Sequence, residues 1–256
     1  MLILLPPSEG KAHPRRGRPL VWTDTPLDGA RRQVLDALVD LCRGPEDAAV
    51  RALGLSPGQV DEVRRNAELP SLPTAAAERI YTGVLYDALG LTSLTASAHR
   101  RALARVAIMS SLYGLVGPGE RIAPYRLGGG VSLPGLGGVA SYWRGHLDEV
   151  VRERAGRGLV VDLRSSTYAA FWRPGPDLAP RVVTVRVLHE VSGRRQVVSH
   201  FNKATKGRLV RALLEDGRDA RTPTAFAALL TDLGWQVEPC PPSRSGTQLD
   251  VVVAEL

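Results

Sequence analysis

The sequence lacks the features that mark disulfide-bonded, secreted, membrane and metal-binding proteins. It contains only two cysteines, Cys42 and Cys240, which cannot form a disulfide framework. The apolar residues 1–5 end at a Pro-Pro pair and have no basic segment before them, so they are too short for a signal peptide or a membrane span. The five histidines have no ligand spacing, and no Cys-x-x-Cys motif occurs. We therefore expect a soluble, cytoplasmic protein with no metal site and no membrane association.

Lysine is also scarce, which makes each remaining lysine informative. Of the 33 basic residues, only Lys11, Lys203 and Lys206 are lysines, and the chain has only two asparagines and four isoleucines. This joint depletion is typical of a GC-rich coding bias, under which a generic surface cation becomes arginine. A retained lysine is then expected to do what a guanidinium cannot, since only an amine has a pKa that falls readily on burial and only an amine forms a Schiff base. Retention by chance is the alternative.

The bulk composition is that of an ordinary globular protein with a positive charge. Hydrophobic residues make up 44% of the 256 residues and charged residues 23%, which argues against disordered and coiled-coil classes. The formal net charge of +7 favours acidic partners such as nucleic acid or phosphorylated small molecules. A well-solvated basic surface explains the charge equally well, so net charge leaves both interpretations open.

Short strand and helix patterns alternate along the chain without a regular βαβ rhythm. We predict a single α/β or α+β domain over residues 1–256 with a mixed sheet and surrounding helices. Strands are predicted at 2–5, 106–109, 159–163 and 248–254, with a hairpin of 181–189 and 195–201. Helices are predicted within 28–68, 75–105, 139–154, 203–215 and 223–233, and a loop over 114–138.

Four of the predicted strands run into polar clusters. The strand at 2–5 leads to Ser8 and Lys11, the strand at 106–109 to Tyr113, the strand at 159–161 to Asp162, and the strand at 195–198 to the segment 200–208. Ligands bind outside the carboxyl ends of parallel strands, so parallel pairing would bring these clusters together in one cleft. Alternatively, each cluster only caps a helix.

The segment 200–208 carries two of the three lysines. Asn202 is a suitable N-cap, so Lys203 is expected to open a helix, and Gly207 would let a ligand approach its first turn. At 100° per residue, Lys203 and Lys206 share the apolar arc of this helix, whereas Arg208 lies on the opposite side. A lysine that points inward needs a charge partner, a bound anion or a lowered pKa. Extension of both amines to solvent from the helix start is the alternative.

Two carboxylates stand beside these lysines, and several further residues could bind an anion. Asp162 and Glu9 are candidate general bases, although either could instead cap a helix or pair with an arginine. The catalytic candidates are Lys203, Lys206, Asp162 and Glu9. The candidates for binding an anion or nucleic acid are Lys11, Lys203, Lys206, Arg208, Arg126, Ser8 and Tyr113. No Walker, Rossmann or Gly-x-Ser-x-Gly pattern occurs, so the cofactor, if any, is unknown.

The segment 116–123 contains a Gly-Pro-Gly sequence that loosely fits the hairpin of a helix-hairpin-helix module, in which backbone amides contact a DNA phosphate. Aromatic residues among arginines, here Tyr125, Tyr142 and Trp143, suit stacking on nucleic-acid bases. Both features also have structural explanations, because Gly/Pro loops are common and tyrosine and tryptophan often pack in cores.

The chain resembles the YaaA peroxide-stress family from residue 1 to about 215. The motifs that carry the resemblance occur in this order: Met1-Leu2-Ile3-Leu4, Tyr81-Thr82-Gly83, Ser111-Leu112-Tyr113-Gly114-Leu115, Pro124-Tyr125-Arg126-Leu127, Tyr142-Trp143, Asp162-Leu163-Arg164-Ser165-Ser166-Thr167-Tyr168 and Lys203-Ala204-Thr205-Lys206-Gly207-Arg208. The opening loop Pro-Pro-Ser-Glu-Gly-Lys and the C-terminal forty residues differ from the best-known branch of the family.

The resemblance implies a bacterial cytoplasmic protein of the hydrogen-peroxide response that limits free iron and the DNA damage that iron drives. It also implies a compact α/β fold with a basic cleft and a helix-hairpin-helix-like element, and binding of duplex DNA. The resemblance does not identify any catalytic residues in this sequence. An enzyme that acts on a small phosphorylated or nucleobase-like substrate through a cleft lysine is the alternative, because a DNA-binding surface needs no inward lysine. A purely structural role is a third possibility without a supporting motif.

Overall fold

The computed structural model describes residues 1–191, 194–196 and 199–254. Its strands are β1 (Leu2–Leu5), β2 (Ala75–Ala76), β3 (Val106–Ser110), β4 (Gly114–Val116), β5 (Arg121–Ile122), β6 (Ser132–Leu133), β7 (Gly137–Gly138), β8 (Val160–Asp162), β9 (Val182–Val191), β10 (Arg194–Gln196), β11 (Gln236–Pro239) and β12 (Thr247–Ala254).

The helices surround the sheet, and short 3₁₀ turns connect several of them. They are α1 (Asp28–Arg43), α2 (Glu46–Leu53), α3 (Asp61–Ala67), α4 (Ala77–Ile80), α5 (Val84–Leu89), α6 (Ala96–Arg105), α7 (Val139–Arg144), α8 (Asp148–Ala155), α9 (Ser166–Ala169), α10 (Ser199–Asp216) and α11 (Pro223–Asp232). None of the helices in the described ranges has the length and apolar character needed to cross a membrane.

A mixed sheet forms the centre of the fold. Its strand order is β11-β12-β9-β8-β1-β3-β4, with β10 paired to β9. The strands from β12 to β3 run parallel, whereas β4, β10 and β11 join antiparallel to their neighbours. The predicted single α/β domain with a mixed sheet is confirmed.

The central strands are apolar on both faces because helices cover both sides of the sheet. All four residues of β1 and all five of β3 are buried. Leu209, Val210, Leu213 and Leu214 of α10 are also buried, with at most 2% exposed. The apolar arc predicted for this helix is therefore its packed face.

Several predicted elements differ from the structure in their bounds. The helix predicted over 139–154 is two helices, α7 and α8, because the chain turns at Gly145. The region 114–138, predicted as loop, contains four short strands. Strand β11 was not predicted, and it pairs antiparallel with β12 at one edge of the sheet.

The prediction for the fourth strand end is wrong. Strand β10 pairs antiparallel with β9, so it is not a parallel neighbour of β1. Its predicted continuation includes residues 197 and 198, which lie outside the described residues. Phe201, predicted as its last residue, belongs to α10.

The start of α10 also differs from the prediction. The helix begins at Ser199, so Asn202 is not its N-cap and Lys203 does not open it. The free amide groups of a helix belong to its first turn, and these lie before Lys203. Lys203 therefore lies after the first turn of α10 and not at its start as predicted.

Gly207 serves helix packing and not the approach of a ligand. A Cβ atom at this position would lie 2.3 Å from the carbonyl oxygen of Leu85 and 2.9 Å from Cβ of Ala88. Helix α10 thus crosses α5 at backbone distance, and only glycine permits this contact.

Gly207→Ala should lower the free energy of unfolding by about 1–3 kcal/mol, because the new methyl group forces α10 and α5 apart. Gly29→Ala in α1 is the matched control, since a Cβ there meets no atom within 4 Å. The control should leave stability unchanged or raise it by up to about 1 kcal/mol through helix propensity. Urea unfolding of both variants measures the difference, and equal stabilities would contradict the packing role.

Candidate functional site

The carboxyl ends of three adjacent parallel strands, β8, β1 and β3, form one edge of the sheet. Leu4 of β1 is in register with Asp162 of β8, and Leu5 with Ile108 of β3. Ser110 and Asp162 are the last residues of β3 and β8, and Lys11 lies in the segment that follows β1. Convergence of these three strand ends, as predicted, is confirmed, and adjacent strands are only about 4.8 Å apart.

Lys11 lies at this edge against two tyrosine rings. Its Nζ is 4.3 Å from the ring centroid of Tyr125 and 5.6 Å from that of Tyr81, and it donates a 2.7 Å hydrogen bond to the carbonyl oxygen of Ser8. Burial of the amine, helped by the positive charge of Arg126, lowers the pKa of Lys11 to about 7. Within the described ranges, no carboxylate lies within 4.0 Å of this amine. Burial thus favours the neutral form of the Lys11 amine, and the carboxylates of Glu62 and Glu9 partly oppose this effect.

Antiparallel pairing with the Tyr81 segment fixes the position of Lys11. The two residues form an isolated β-bridge, and the amide of Ala12 donates to the carbonyl of Ile80 at 2.8 Å. The Tyr86 hydroxyl donates to the carbonyl of Pro6 at 2.7 Å and holds the chain where it leaves β1. The loop that carries the amine is thus attached at both ends to the fold.

A chain of buried hydroxyl groups lies beneath the amine. The hydroxyl of Tyr125 is 3.2 Å from that of Tyr81 and 2.8 Å from Oγ of Ser110, which accepts from the amide of Tyr113 at 3.0 Å. Burial raises the pKa of both Tyr81 and Tyr125. These phenols therefore remain protonated at neutral pH and can act as hydrogen-bond donors.

Arg126 lies beside Lys11 and is held by its backbone. The Asn66 side chain donates to the Arg126 carbonyl at 2.7 Å and accepts from its amide at 3.0 Å. The Arg126 guanidinium pairs with Glu9 at 3.3 Å, and the Glu9 side chain is 86% exposed. Such an exposed ion pair contributes little free energy, so a bound anion could replace Glu9 on Arg126.

Lys206 reaches the same edge of the sheet from α10. Its Nζ donates to the carbonyl of Leu163, the residue after β8, at 3.0 Å. Burial lowers the pKa of Lys206, and the negative charge of Asp162 partly opposes this effect. One turn earlier on α10, Oδ1 of Asn202 is buried and has no hydrogen-bond partner in the described part of the chain. This face of the helix thus presents a lysine and an unsatisfied amide oxygen.

Asp162 forms a buried ion pair with Arg164. Its two oxygens accept from Nε and Nη2 of Arg164 at 2.8 and 2.7 Å, and Oδ1 also accepts from the Arg164 amide at 3.0 Å. The guanidinium also donates to the carbonyls of Tyr168 and Trp172. The bidentate pair occupies both oxygens of the carboxylate and fixes their position. Asp162 therefore orders the loop after β8, which is a structural role.

The remaining predicted site residues are not gathered around the amine. Lys203 and Arg208 lie on the exposed side of α10. Ser8 is the exception, because it is half-buried and its carbonyl oxygen accepts from the amine of Lys11 at 2.7 Å. The Tyr113 hydroxyl is buried between the amide and carbonyl of Ala123, so it is not available to an anion.

The helix-hairpin-helix interpretation of residues 116–123 is wrong. In the structure this segment joins β4 to β5, and β5 pairs with β2. The Gly117 amide is occupied, because it donates to Glu120 at 2.8 Å. The segment therefore lies between two strands and does not present a free amide at Gly117.

Base stacking is excluded for Trp143. This side chain is fully buried and its Nε1 donates to the carbonyl of Ser111 at 2.7 Å. Its ring also fills the space beside Gly114, where a Cβ would lie 2.6 Å from it. Tyr125, 4% exposed, meets the amine of Lys11 with the face of its ring, so this face is occupied by the amine and is not free to stack on a base.

Tyr81, Ser110, Asn66 and Asn202 were not among the predicted site residues. The asparagines could have been found, because the chain has only these two and the scarcity that singled out lysine applies to them equally. Asn66 holds Arg126, and Asn202 precedes Lys206 by one turn. Tyr81 and Ser110 join the site through strand pairing, which has no local sequence signal.

No group of three or more histidine, cysteine, aspartate or glutamate side chains in the described residues could hold a metal ion.

Comparison with known proteins gives consistent matches along the chain. The model of a family described as peroxide stress protein YaaA matches residues 1–239. A UPF0246 protein of Streptomyces coelicolor is 50% identical over 261 residues, which cover 100% of both chains. UPF0246 proteins of Corynebacterium efficiens and Corynebacterium glutamicum are 40% and 36% identical, and the matches cover 93–94% of this chain and 95–96% of theirs.

Lys11→Met should raise the free energy of unfolding near pH 6 by about 1–3 kcal/mol, less than the full pKa shift implies because water reaches part of the side chain. The native pKa of about 7 lies below the ordinary lysine value of 10.5, so the unfolded state binds more protons between these values. Wild-type stability therefore rises with pH over this range, and the advantage of methionine should shrink toward pH 10. Urea unfolding at pH 6 and pH 10 tests this, and an advantage independent of pH would contradict it.

Proposed function

The chain belongs to the family of peroxide stress protein YaaA, and we propose that it acts on a small phosphorylated or nucleobase-like substrate through the amino group of Lys11. The observation that carries this proposal is the burial of that amine against Tyr81 and Tyr125 without a carboxylate within 4.0 Å in the described ranges. A structural lysine gains nothing from such an environment, because burial disfavours its charged form.

In this proposal the residues at the sheet edge have separate roles. Lys11 supplies the nucleophile or base, and its pKa of about 7 suits either role at neutral pH. Arg126 binds the anionic group of the substrate in place of the exposed Glu9. The hydroxyls of Tyr125 and Ser110 supply neutral donors. Lys206 and the unsatisfied oxygen of Asn202 bind further polar groups. Glu9 and Lys203 have no catalytic role.

DNA binding is a second candidate, and the loop that follows Lys11 favours it. Arg15, Arg16 and Arg18 are exposed, and no carboxylate within the described ranges pairs with them. The loop is fixed at both ends, by the Ala12 amide and by the Arg18 carbonyl, which accepts from the Thr74 amide at 3.0 Å. A fixed loop with unpaired guanidinium groups is suited to a phosphate backbone. This second candidate corresponds to the binding of duplex DNA in a basic cleft that the family resemblance implies.

Either candidate would serve a peroxide response in the cytoplasm. Iron-driven oxidation damages nucleotides and DNA, so a protein that binds or processes these molecules would limit the damage. We propose this as the contribution of the chain to peroxide resistance, within a single domain that spans residues 1–256.

Addition of 2-deoxyribose 5-phosphate or a deoxynucleoside monophosphate should raise the melting temperature of the wild type by about 5 °C at ligand concentrations near 100 times Kd. Lys11→Met and Lys206→Met should abolish this shift, whereas Lys203→Met should retain it, because only Lys203 is exposed on the far side of α10. Differential scanning calorimetry measures the shift. An equal loss in all three variants, or no shift in the wild type, would contradict the proposal.

The DNA candidate predicts a strong dependence of duplex affinity on salt. Replacement of Arg15, Arg16 and Arg18 by alanine should reduce the slope of log K against log salt by about 2.7, which is about 0.9 for each lost phosphate contact. Fluorescence anisotropy between about 50 and 200 mM salt gives the slope.

The matched control replaces Arg51, Arg152 and Arg195, each of which is paired with a carboxylate. This triple variant loses the same formal charge and should keep most of the slope. Lys11→Met should change duplex affinity by less than the loop variant does. Equal effects of the two triple variants would show that any DNA binding follows net charge and not this loop.

A further inference from the structure

We propose that Lys11 forms a Schiff base with the open-chain aldehyde of a phosphorylated sugar. This inference rests on the function proposed above and names the substrate class and the covalent step. The geometry that points to it combines three features at the carboxyl ends of β1 and β3: an amine set against aromatic faces, a guanidinium beside it, and a line of hydroxyls below it.

The surroundings of the amine favour a nucleophile over a cation. The Lys11 Nζ makes one hydrogen bond, to the carbonyl of Ser8, and a carbonyl oxygen accepts equally from a neutral amine. A neutral amine has a lone pair for attack on a carbonyl carbon. Burial of Lys11 and the positive charge of Arg126 favour this state, whereas the carboxylates of Glu62 and Glu9 oppose it.

The substrate should carry a phosphate because Arg126 is available to bind one. Asn66 fixes the backbone of Arg126 through two hydrogen bonds, so the arginine is positioned without its guanidinium being used for this purpose. The guanidinium meets only the exposed carboxylate of Glu9 at 3.3 Å among the charged side chains in the described ranges. A phosphate dianion would displace that carboxylate and form bidentate hydrogen bonds.

The covalent step is balanced without a redox partner. The Lys11 nitrogen attacks the aldehyde carbon, a C–N bond forms, and the carbonyl π pair moves to oxygen, which takes up a proton to give a carbinolamine. The C–O bond then breaks, the oxygen leaves as water with a second proton, and the nitrogen loses its two protons overall. One water is released for each imine formed. Solvent exchanges these protons, because the hydroxyls of Tyr125 and Ser110 are buried and hydrogen-bonded to each other.

Two sources supply this chemistry, a free sugar phosphate and the open-chain deoxyribose at an abasic position in DNA. The probes are 2-deoxyribose 5-phosphate, unphosphorylated 2-deoxyribose, and an oligonucleotide with one abasic position. Each is incubated with the full-length protein and sodium cyanoborohydride, which reduces the imine to a stable secondary amine. Intact mass and peptide mapping then locate the adduct. The expected mass gain equals the aldehyde less one oxygen atom.

The adduct should lie on Lys11, and its initial rate of formation should rise about tenfold between pH 6 and pH 8, as the deprotonated fraction of a group with pKa about 7 does. Lys11→Arg should form no adduct at this site, although it keeps a cation there. Lys203→Met, the exposed-lysine control, should react like the wild type. Arg126→Ala should lose the preference for the phosphorylated sugar. A preference for one of the two phosphorylated probes identifies the source.

An adduct spread evenly over the three lysines would overturn the proposal, and so would equal trapping of phosphorylated and unphosphorylated sugar by the wild type. Absence of any adduct would also overturn it, and the melting experiment then separates the two levels. If Lys11→Met still abolishes the ligand-induced shift, the Schiff base is wrong and the proposed function stands. If no ligand shifts the wild type, both are wrong.

Discussion

Parallel pairing of β1 between β8 and β3 is the constraint on which the candidate site depends. It brings β1 together with two strands that lie about 100 and about 160 residues further along the chain, because β1 is in register with β3 on one side and with β8 on the other. The polar residues after each strand must then share one edge of the sheet. The short apolar run at residues 2–5 thus organises the fold and also determines where Lys11, Ser110 and Asp162 meet.

Burial at this edge gives similar residue types different chemistry. Asp162 is neutralised by a bidentate arginine and orders a loop, whereas Lys11 has no such partner among the described residues and loses much of its charge. Arg31 and Arg164 are buried because carboxylates and carbonyls satisfy them. The guanidinium of arginine stays charged even when it is buried, whereas the amine of lysine can become neutral. A buried basic side chain without a charge partner is therefore expected to be a lysine. This difference explains why lysine remains at position 11 in a chain so rich in arginine.

The positive charge of the chain is distributed in two ways. Many exposed arginines lie in ion pairs with nearby carboxylates. The positive electrostatic potential around these arginines is therefore small, and they attract a polyanion only weakly. The loop from Lys11 to Arg18 differs, because its arginines are unpaired among the described residues and the loop ends are fixed. Net charge alone could not distinguish these cases, and the distribution of partners does. A reactive amine at the base of this loop would allow one surface to bind phosphate and present an aldehyde for reaction.

Local sequence determined the core strands, most helices and the importance of the lysines. Runs of apolar residues predict β1 and β3, and every residue of both strands is buried. The scarcity of lysine singles out Lys11 and Lys206 independently of the fold. Tertiary structure decided the rest. Lys203 and Lys206 are equivalent by sequence, yet α10 begins at Ser199 and crosses α5 at Gly207, which leaves one lysine exposed and turns the other to the sheet. Tyr81 and Tyr125 join Lys11 only through pairing between distant segments, a long-range contact that no local pattern encodes.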